Sequence, residues 1–565
     1  MSSTEQLAAG SLEEIGRRDH EVTSEYRIFG PPGTGKTTNL TRQIRRAVER
    51  YGADSVLVTS FSRTAAAELA GRDLPIGNDR VGTLHSHCWH ALGGPEIAEA
   101  NVDEWNSDNP SLPITPARKQ HKLDGEESVD EDSEAEKDGD TELQRLSRFR
   151  GLMLPPELWP KTVAEFAQRW TEYKRENGLL DFTDLIEISL REVALAPHNP
   201  SVIFADEAQD LNRMQLSLVR KWGERGNYFI VAGDDDQTIY TFTGATPDAF
   251  LDPDIPDDHK IILKQSYRVP RAVHRFAESL IHQVTRRQEK EYLPRPEDGA
   301  LDRLSRDGYK RPEFAILSSA VEHLEHGKTV MFLTACAYML KPLVAVLRKQ
   351  GIPFHNPYRK SNGYWNPLRT GKRGSTVNRI LALLAGHPDY GDGHHPWTHG
   401  DLAMWAEVLQ SKGILRHGAK KKLSQYDIAQ TATVERLDEI FEPAALESLM
   451  AAWDGSYRDL LEWWRTRLTA DVGARVQFPA QVAAIRGPGG LAQTPQVMVG
   501  TIHSVKGGQA DVVYLFPDLS QAGDAQYARG GAARDSVIRQ FYVGSTRARE
   551  KLYICGRESA LAVSL

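Results

Sequence analysis

The run GPPGTGKT, Gly30 to Thr37, constrains this chain more than any other feature. It fits the pattern G-x-x-x-x-G-K-[ST]. The apolar stretch from Tyr26 precedes it, and from Thr37 onward TTNLTRQIRRAVERY reads as a basic helix. A strand that breaks into a glycine-rich turn and re-enters a helix is half of a parallel βαβ unit. Gly33 and Gly35 let backbone N–H groups curl around phosphate oxygens, and the helix N-terminus adds its dipole. Lys36 reaches β- and γ-phosphates, and Thr37 offers a hydroxyl to Mg²⁺. Gly30, Pro31, Pro32, Thr34 and Thr38 complete the nucleotide-binding stretch.

VIFADEAQD, Val202 to Asp210, is the natural partner. An apolar strand delivers Asp206 and Glu207 at its C-terminal edge, where open α/β sheets bind ligands. Asp206 is expected to hold Mg²⁺, and Glu207 to polarise the attacking water as general base. Further strands are read at 55–59, 202–205 and 228–232, and the pattern restarts at 329–334, 497–501, 512–516 and 553–555. Strands alternating with helices give an α/β fold with two parallel-sheet units. Residues 366–495, rich in Trp, Leu and Ala at helical spacing, and the polar stretch 101–155 read as insertions.

Composition narrows the class. The 565 residues suffice for about three or four ordinary domains. No run approaches membrane-spanning length, and the N-terminus does not read as a secretory leader. Cys88, Cys336 and Cys555 lie far apart, which fits a reducing cytoplasm and argues against a disulfide scaffold or zinc site. The net charge of −8 is concentrated in segment 124–140, which holds ten acids and one lysine. That segment reads as a solvated, disordered insertion. The remainder is close to neutral and can carry basic faces for nucleic acid.

DEAQD and six further stretches resemble one family, the superfamily 1 helicases of the UvrD/Rep/PcrA type. DEAQD resembles its Walker B signature and GDDDQTIYTFTGA (Gly233 to Ala245) its GDDDQSIYRWRGA motif. FSRTAAAEL (Phe61 to Leu69) is similar to FTNKAAREM, TLHSHCW (Thr83 to Trp89) to TFHSMC, and KQSYRVP (Lys264 to Pro270) to the QNYRS element. VGTIHSVKGGQADVVYL (Val499 to Leu515) resembles MTLHAAKGLEFPVVFL, and FYVGSTRAREKLYI (Phe541 to Ile554) the YVGVTRA motif. The resemblance implies two RecA-like P-loop motor domains, with ATP between them and single-stranded DNA across both. The implied division is 1–90 with 156–255 for the first motor, 91–155 for its insertion, 256–366 with 492–565 for the second motor, and 367–491 for a helical insertion. ATP and Mg²⁺ are the implied cofactors, and 3′→5′ translocation with duplex unwinding the implied activity.

The same resemblance assigns roles. Arg268 and Arg547 become arginine fingers on the γ-phosphate, Tyr267 stacks on adenine, and Gln237 senses the γ-phosphate or orients the water. Gln509 stands where a Glu holds ribose or couples to DNA. Phe61, Thr83, His85, Tyr240, Phe242, Thr501 and His503 form the DNA side, and Tyr364 and Trp365 mark a second DNA-facing surface. The chain also departs from the pattern: Thr38 replaces an Arg, KGGQA replaces KGLEF, TFTGA replaces RWRGA, and no upstream adenine-reading Gln motif is evident. Selectivity for ATP over other nucleoside triphosphates is therefore left open by the sequence. Partners are single-stranded and duplex DNA, with a nuclease or a repair or replication factor as a protein partner. The expected state is a cytoplasmic, nucleoid-associated monomer. A dependent motor in a nuclease–helicase or defence complex, and an RNA-acting helicase, are the competing readings.

Overall fold

The structure is a computed structural model that describes residues 25–61, 66, 69–117, 138–304, 307–358, 365–368 and 375–565. Two compact units emerge, 1–300 with 521–550, and 301–520 with 551–564. Residues 256–300 and 521–550, allotted above to the second motor, thus group with the first sheet.

The first unit is built on six strands: β1 (Glu25–Phe29), β2 (Val56–Ser60), β3 (Val81–Thr83), β4 (Val202–Asp206), β5 (Tyr228–Gly233) and β6 (Lys260–Ile262). Their order is β3-β2-β4-β5-β1-β6, and every pairing is parallel. Strands β2 and β4 are buried along their whole length, so they read as continuous apolar runs rather than alternating ones. One face packs on Leu40 and Ile44 of the helix Lys36–Tyr51, the other on Leu216, Val219 and Trp222 of the helix Arg213–Gly223. Since β1, β5 and β4 are neighbours, the loops at their C-terminal ends must meet. The register puts Phe29 opposite Gly233, and Gly30 N–H donates to Gly233 O at 2.9 Å.

The 91–155 stretch contributes to a separate aromatic core in which Trp105, Phe166 and Trp170 are buried. Trp170 Nε1 donates to Asp181 at 2.9 Å, and Lys174 and Arg150 converge on the same carboxylate. Burial works against the Asp181 charge, but the two cations hold its pKa below the usual carboxylate range. Of the acidic run, 124–137 lies outside the described residues. Asp138–Asp140 opens a helix to Gly151, in which Asp140 accepts from Thr115 N–H and hydroxyl at 2.8 and 2.7 Å. These three residues are therefore ordered, because the carboxylate ties the helix start to the preceding loop.

In the second unit, β10 (Val330–Thr334) is flanked by β12 (Val497–Thr501) and β13 (Ala510–Leu515), parallel to both. The edge strand β11 (Phe354–His355) pairs parallel with β12. Between these strands, the stretch 376–492 is mainly helical around buried Trp405, Trp463, Trp464 and Phe441. Capping boxes at Thr398–Asp401 and Ser456–Asp459 start two of its helices. Arg416 and Lys422 of its basic RHGAKKK run are paired with Asp438 and Glu439. No described helix is long and apolar enough to cross a membrane.

Candidate nucleotide site and aromatic run

The P-loop geometry follows from its glycines. Gly33 and Gly35 both take φ +77°, which an L side chain rarely adopts. A Cβ on Gly33 would also fall 2.5 Å from Arg268 Cβ. That close approach exists because β7 (Gln265–Pro270) is clasped onto the loop. Tyr267 N–H donates to Gly33 O at 2.8 Å, while Ser266 Oγ and Tyr292 OH donate to Pro32 O at 2.9 and 2.7 Å. The backbone of Tyr267 and Arg268 is thereby fixed against the loop, and the Tyr267 ring is 72% exposed. No side chain caps the helix Lys36–Tyr51, so its first-turn N–H groups suit an anion.

Lys36 Nζ lies 2.6 Å from both Asp206 and Glu207. Burial opposes its charge, but the two carboxylates outweigh burial and hold its pKa above the lysine range. Burial, helped by Glu207 and opposed by Lys36, raises the Asp206 pKa. Glu207 has φ +50°, uncommon for a residue with a Cβ. Such strain concentrates at functional sites.

From Glu207 a hydrogen-bonded chain runs to the loop after β5. Gln209 Nε2 donates to Glu207 at 2.6 Å, and Gln209 Oε1 accepts from Asp234 N–H at 3.1 Å. Gly233 makes room for this, since a Cβ there would sit 2.5 Å from Gln209 Oε1. Gln237 Nε2 donates to Asp234 at 2.8 Å, and Arg547 Nη2 donates to Gln237 Oε1 at 3.1 Å. Arg547 is 1% exposed, and burial together with Arg268 pushes its pKa down to about 9. An anion between the two guanidinium groups would relieve that cost. Lys36, Asp206, Glu207, Gln237, Arg268 and Arg547 all lie in the first unit. The acids of the DDDQ loop bind protein cations. No group of three or more His, Cys, Asp or Glu side chains suited to a metal occurs among the described residues.

The aromatics form a run. Phe61 lies 5.2 Å from Tyr240, and Tyr240 5.8 Å from Phe242, centroid to centroid. His85 meets Phe182 edge-on at 6.0 Å, and Thr83 caps the helix Leu84–Ala91 through Ser86 N–H. The remaining DNA-side candidates are in the second unit. Thr501 is buried and accepts from Ser504 N–H at 3.2 Å, and His503 opens a short turn. Trp365 packs on Phe354, and Tyr364 lies outside the described residues.

Several departures from the family pattern have local compensation. Thr241 Oγ1 is 3.0 Å from Ser536 Oγ, and Thr243 hydroxyl donates to Tyr240 O at 2.8 Å. Gly508 leaves no room for a Cβ, because the Tyr358 ring packs against it. Exposed Thr38 receives Arg72 Nη1 at 3.4 Å. Sequence reading missed Gln209, Ser266, Tyr292, Arg287 and Lys290. Gln209 stands inside the quoted DEAQD, whereas Lys290 meets acids 54–56 positions upstream and carries no local signal.

Residues 16–255 match the model of the UvrD/REP helicase N-terminal domain. The ATP-dependent DNA helicase PcrA of Bacillus subtilis is 27% identical over 301 residues, 48% of this chain and 39% of PcrA. UvrD1 of Mycobacterium tuberculosis is 25% identical over 364 residues, 58% of this chain and 47% of UvrD1. Rep of Buchnera aphidicola is 27% identical over 289 residues, 46% and 42% of the two chains. The chain therefore aligns with less than half the length of these relatives.

Proposed function

We propose that this chain is a superfamily 1 helicase of the UvrD/Rep/PcrA type, as its match over residues 16–255 and its relatives support, and that it couples ATP hydrolysis to 3′→5′ movement on single-stranded DNA and unwinds duplexes. The observation that carries the reading is the chain from Lys36 through Asp206 and Glu207 to Gln237 and Arg547. A lysine, two carboxylates and a buried guanidinium around one P-loop support this reading. Lys36 binds the β- and γ-phosphates, and Glu207 takes the proton of the attacking water. Gln237 orients that water, and Arg268 and Arg547 stabilise charge on the transferring phosphoryl group. Tyr267 offers its exposed ring to the base. Thr37 and Asp206 supply a hydroxyl and a carboxylate oxygen, a donor set suited to Mg²⁺, which when bound neutralises phosphate charge.

The two parallel sheets are read as two RecA-like motors. The run Phe61–Tyr240–Phe242 is read as the base-stacking platform of the first. Stacking a base on an aromatic side chain is worth about 1–3 kcal/mol, while opening one DNA step costs on average about 1.4 kcal/mol. The two are comparable, so capture of one freed base per cycle offsets the cost of opening a step.

The test is an ATPase and strand-displacement assay with 3′-tailed, 5′-tailed and RNA substrates. Mg²⁺-ATPase activity should rise strongly with single-stranded DNA, and only the 3′-tailed duplex should be displaced. DNA-stimulated hydrolysis without displacement would favour a motor that depends on a partner. Equal stimulation by RNA would refute the DNA assignment. Phe242→Ala should weaken single-stranded DNA binding about tenfold or more and cut unwinding more than basal hydrolysis. Equal loss of both would mark Phe242 as core packing.

A further inference from the structure

Asp234, Asp235 and Asp236 are buried, with 0–1% exposure, and all three meet one ammonium group. Lys290 Nζ, itself 2% exposed, lies 2.8, 2.5 and 2.8 Å from them in turn. Arg287 adds a bidentate contact to Asp236 at 3.0 and 2.7 Å, and Gln288 N–H donates to Asp235 at 2.8 Å. A buried ionic cluster of this kind is weak evidence of stabilisation, because apolar packing of similar volume is often as good. What such a cluster does supply is defined geometry.

Here the geometry is that of Gln237. Its amide has two unlike ends, a donor and an acceptor. Asp234 Oδ2 takes the Nε2 donor at 2.8 Å, which leaves Oε1 facing the Arg547 guanidinium at 3.1 Å. The flipped amide would set carbonyl against carboxylate and NH₂ against guanidinium, two repulsive contacts. Asp234 can impose this choice because it is held from several sides. Gln209 Oε1 accepts from its backbone N–H at 3.1 Å, Lys290 holds Oδ1, and Asp236 N–H also donates to Oδ1 at 3.3 Å. Gln209 in turn donates to Glu207. Asp234 thus links the candidate base, through its backbone N–H and Gln209, to the candidate arginine finger, through its carboxylate and Gln237, and Lys290 is the cation that fixes that carboxylate.

We propose that Lys290 is a positioning residue for hydrolysis: by holding the Asp234 carboxylate in place it sets the orientation of the Gln237 amide, and through it the contact with Arg547. This rests on reading the first unit as an ATPase. Lys290 touches no reacting atom, so its effect falls on turnover rather than on nucleotide binding.

The test compares full-length wild type with Lys290→Met, the charge-balanced Lys290→Met/Asp235→Asn and Asp234→Asn, reading melting temperature, kcat and KM for ATP with saturating single-stranded DNA. Lys290→Met should lower kcat about 10- to 100-fold and change KM by less than about threefold. In the double variant the melting temperature should recover while kcat stays low. If kcat recovers along with the melting temperature, Lys290 only neutralises charge and the proposal fails. Asp234→Asn serves where Lys290→Met does not fold: it should show the same loss of kcat near wild-type melting temperature, and an unchanged kcat overturns the proposal. A wild type that fails to hydrolyse ATP with any polynucleotide sinks the functional reading instead, so the two failures are separable.

Discussion

Lys36→Ala is expected to reduce DNA-stimulated ATP hydrolysis by a factor of about 10³ or more, since it removes the cation that meets developing phosphate charge. Retention of wild-type turnover would overturn the site assignment. The substitution also has a stability signature. Lys36 Nζ bridges Asp206 and Glu207 at 2.6 Å each, and removing it leaves Asp206 buried without that counter-charge. Breaking a buried pair by deleting one partner costs about 3 kcal/mol or more. The pH dependence is fixed in sign. Burial already raises the Asp206 pKa, Glu207 adds to it, and Lys36 opposes both. In Lys36→Met, which keeps the aliphatic stem, the carboxyl rises further. A carboxyl with a raised folded-state pKa favours folding below its unfolded value and loses that stability as pH rises through the folded value. The melting-temperature deficit of Lys36→Met should therefore be larger at pH 8 than at pH 5. A deficit that shrinks with pH would place the stress elsewhere.

The parts legible in the sequence were those set by local pattern. GPPGTGKT declares a strand–turn–helix, and the apolar runs at β2, β4, β5, β10 and β12 mark strands buried on both faces. The short strands β3 and β6, three residues each, carry too little pattern to be seen. The DDDQ acids show why composition misleads about ligands. Three acids in a row suggest a metal or phosphate site, yet their cations come from Arg287 and Lys290, more than fifty residues downstream. Nothing near Gly233 announces those partners. Gln209 was in view within DEAQD, but its role depends on Gly233 lacking a Cβ, which only the packing reveals.

Arg547→Met is expected to lower kcat about 10³- to 10⁵-fold, the range for removal of an arginine finger, without lowering the melting temperature. The two effects have one cause. Arg547 is 1% exposed, its Nε donates to Val543 O at 2.9 Å and its Nη2 to Gln237 at 3.1 Å. Burial and the neighbouring Arg268 push its pKa down to about 9, so the folded state bears a cost for this charge at any lower pH. Met fills much of the volume and removes the charge, so the fold should be as stable as wild type or more so. That is the trade expected where a strained charge serves chemistry rather than the fold. Arg547→Lys should not restore turnover, because an ammonium cannot reproduce the planar fork that meets Val543 and Gln237 together. Measured side by side, kcat and melting temperature separate the possibilities. Parallel loss of both in Arg547→Met would make Arg547 a structural cation, whereas a large kcat loss with an unchanged or raised melting temperature leaves phosphoryl transfer as its task.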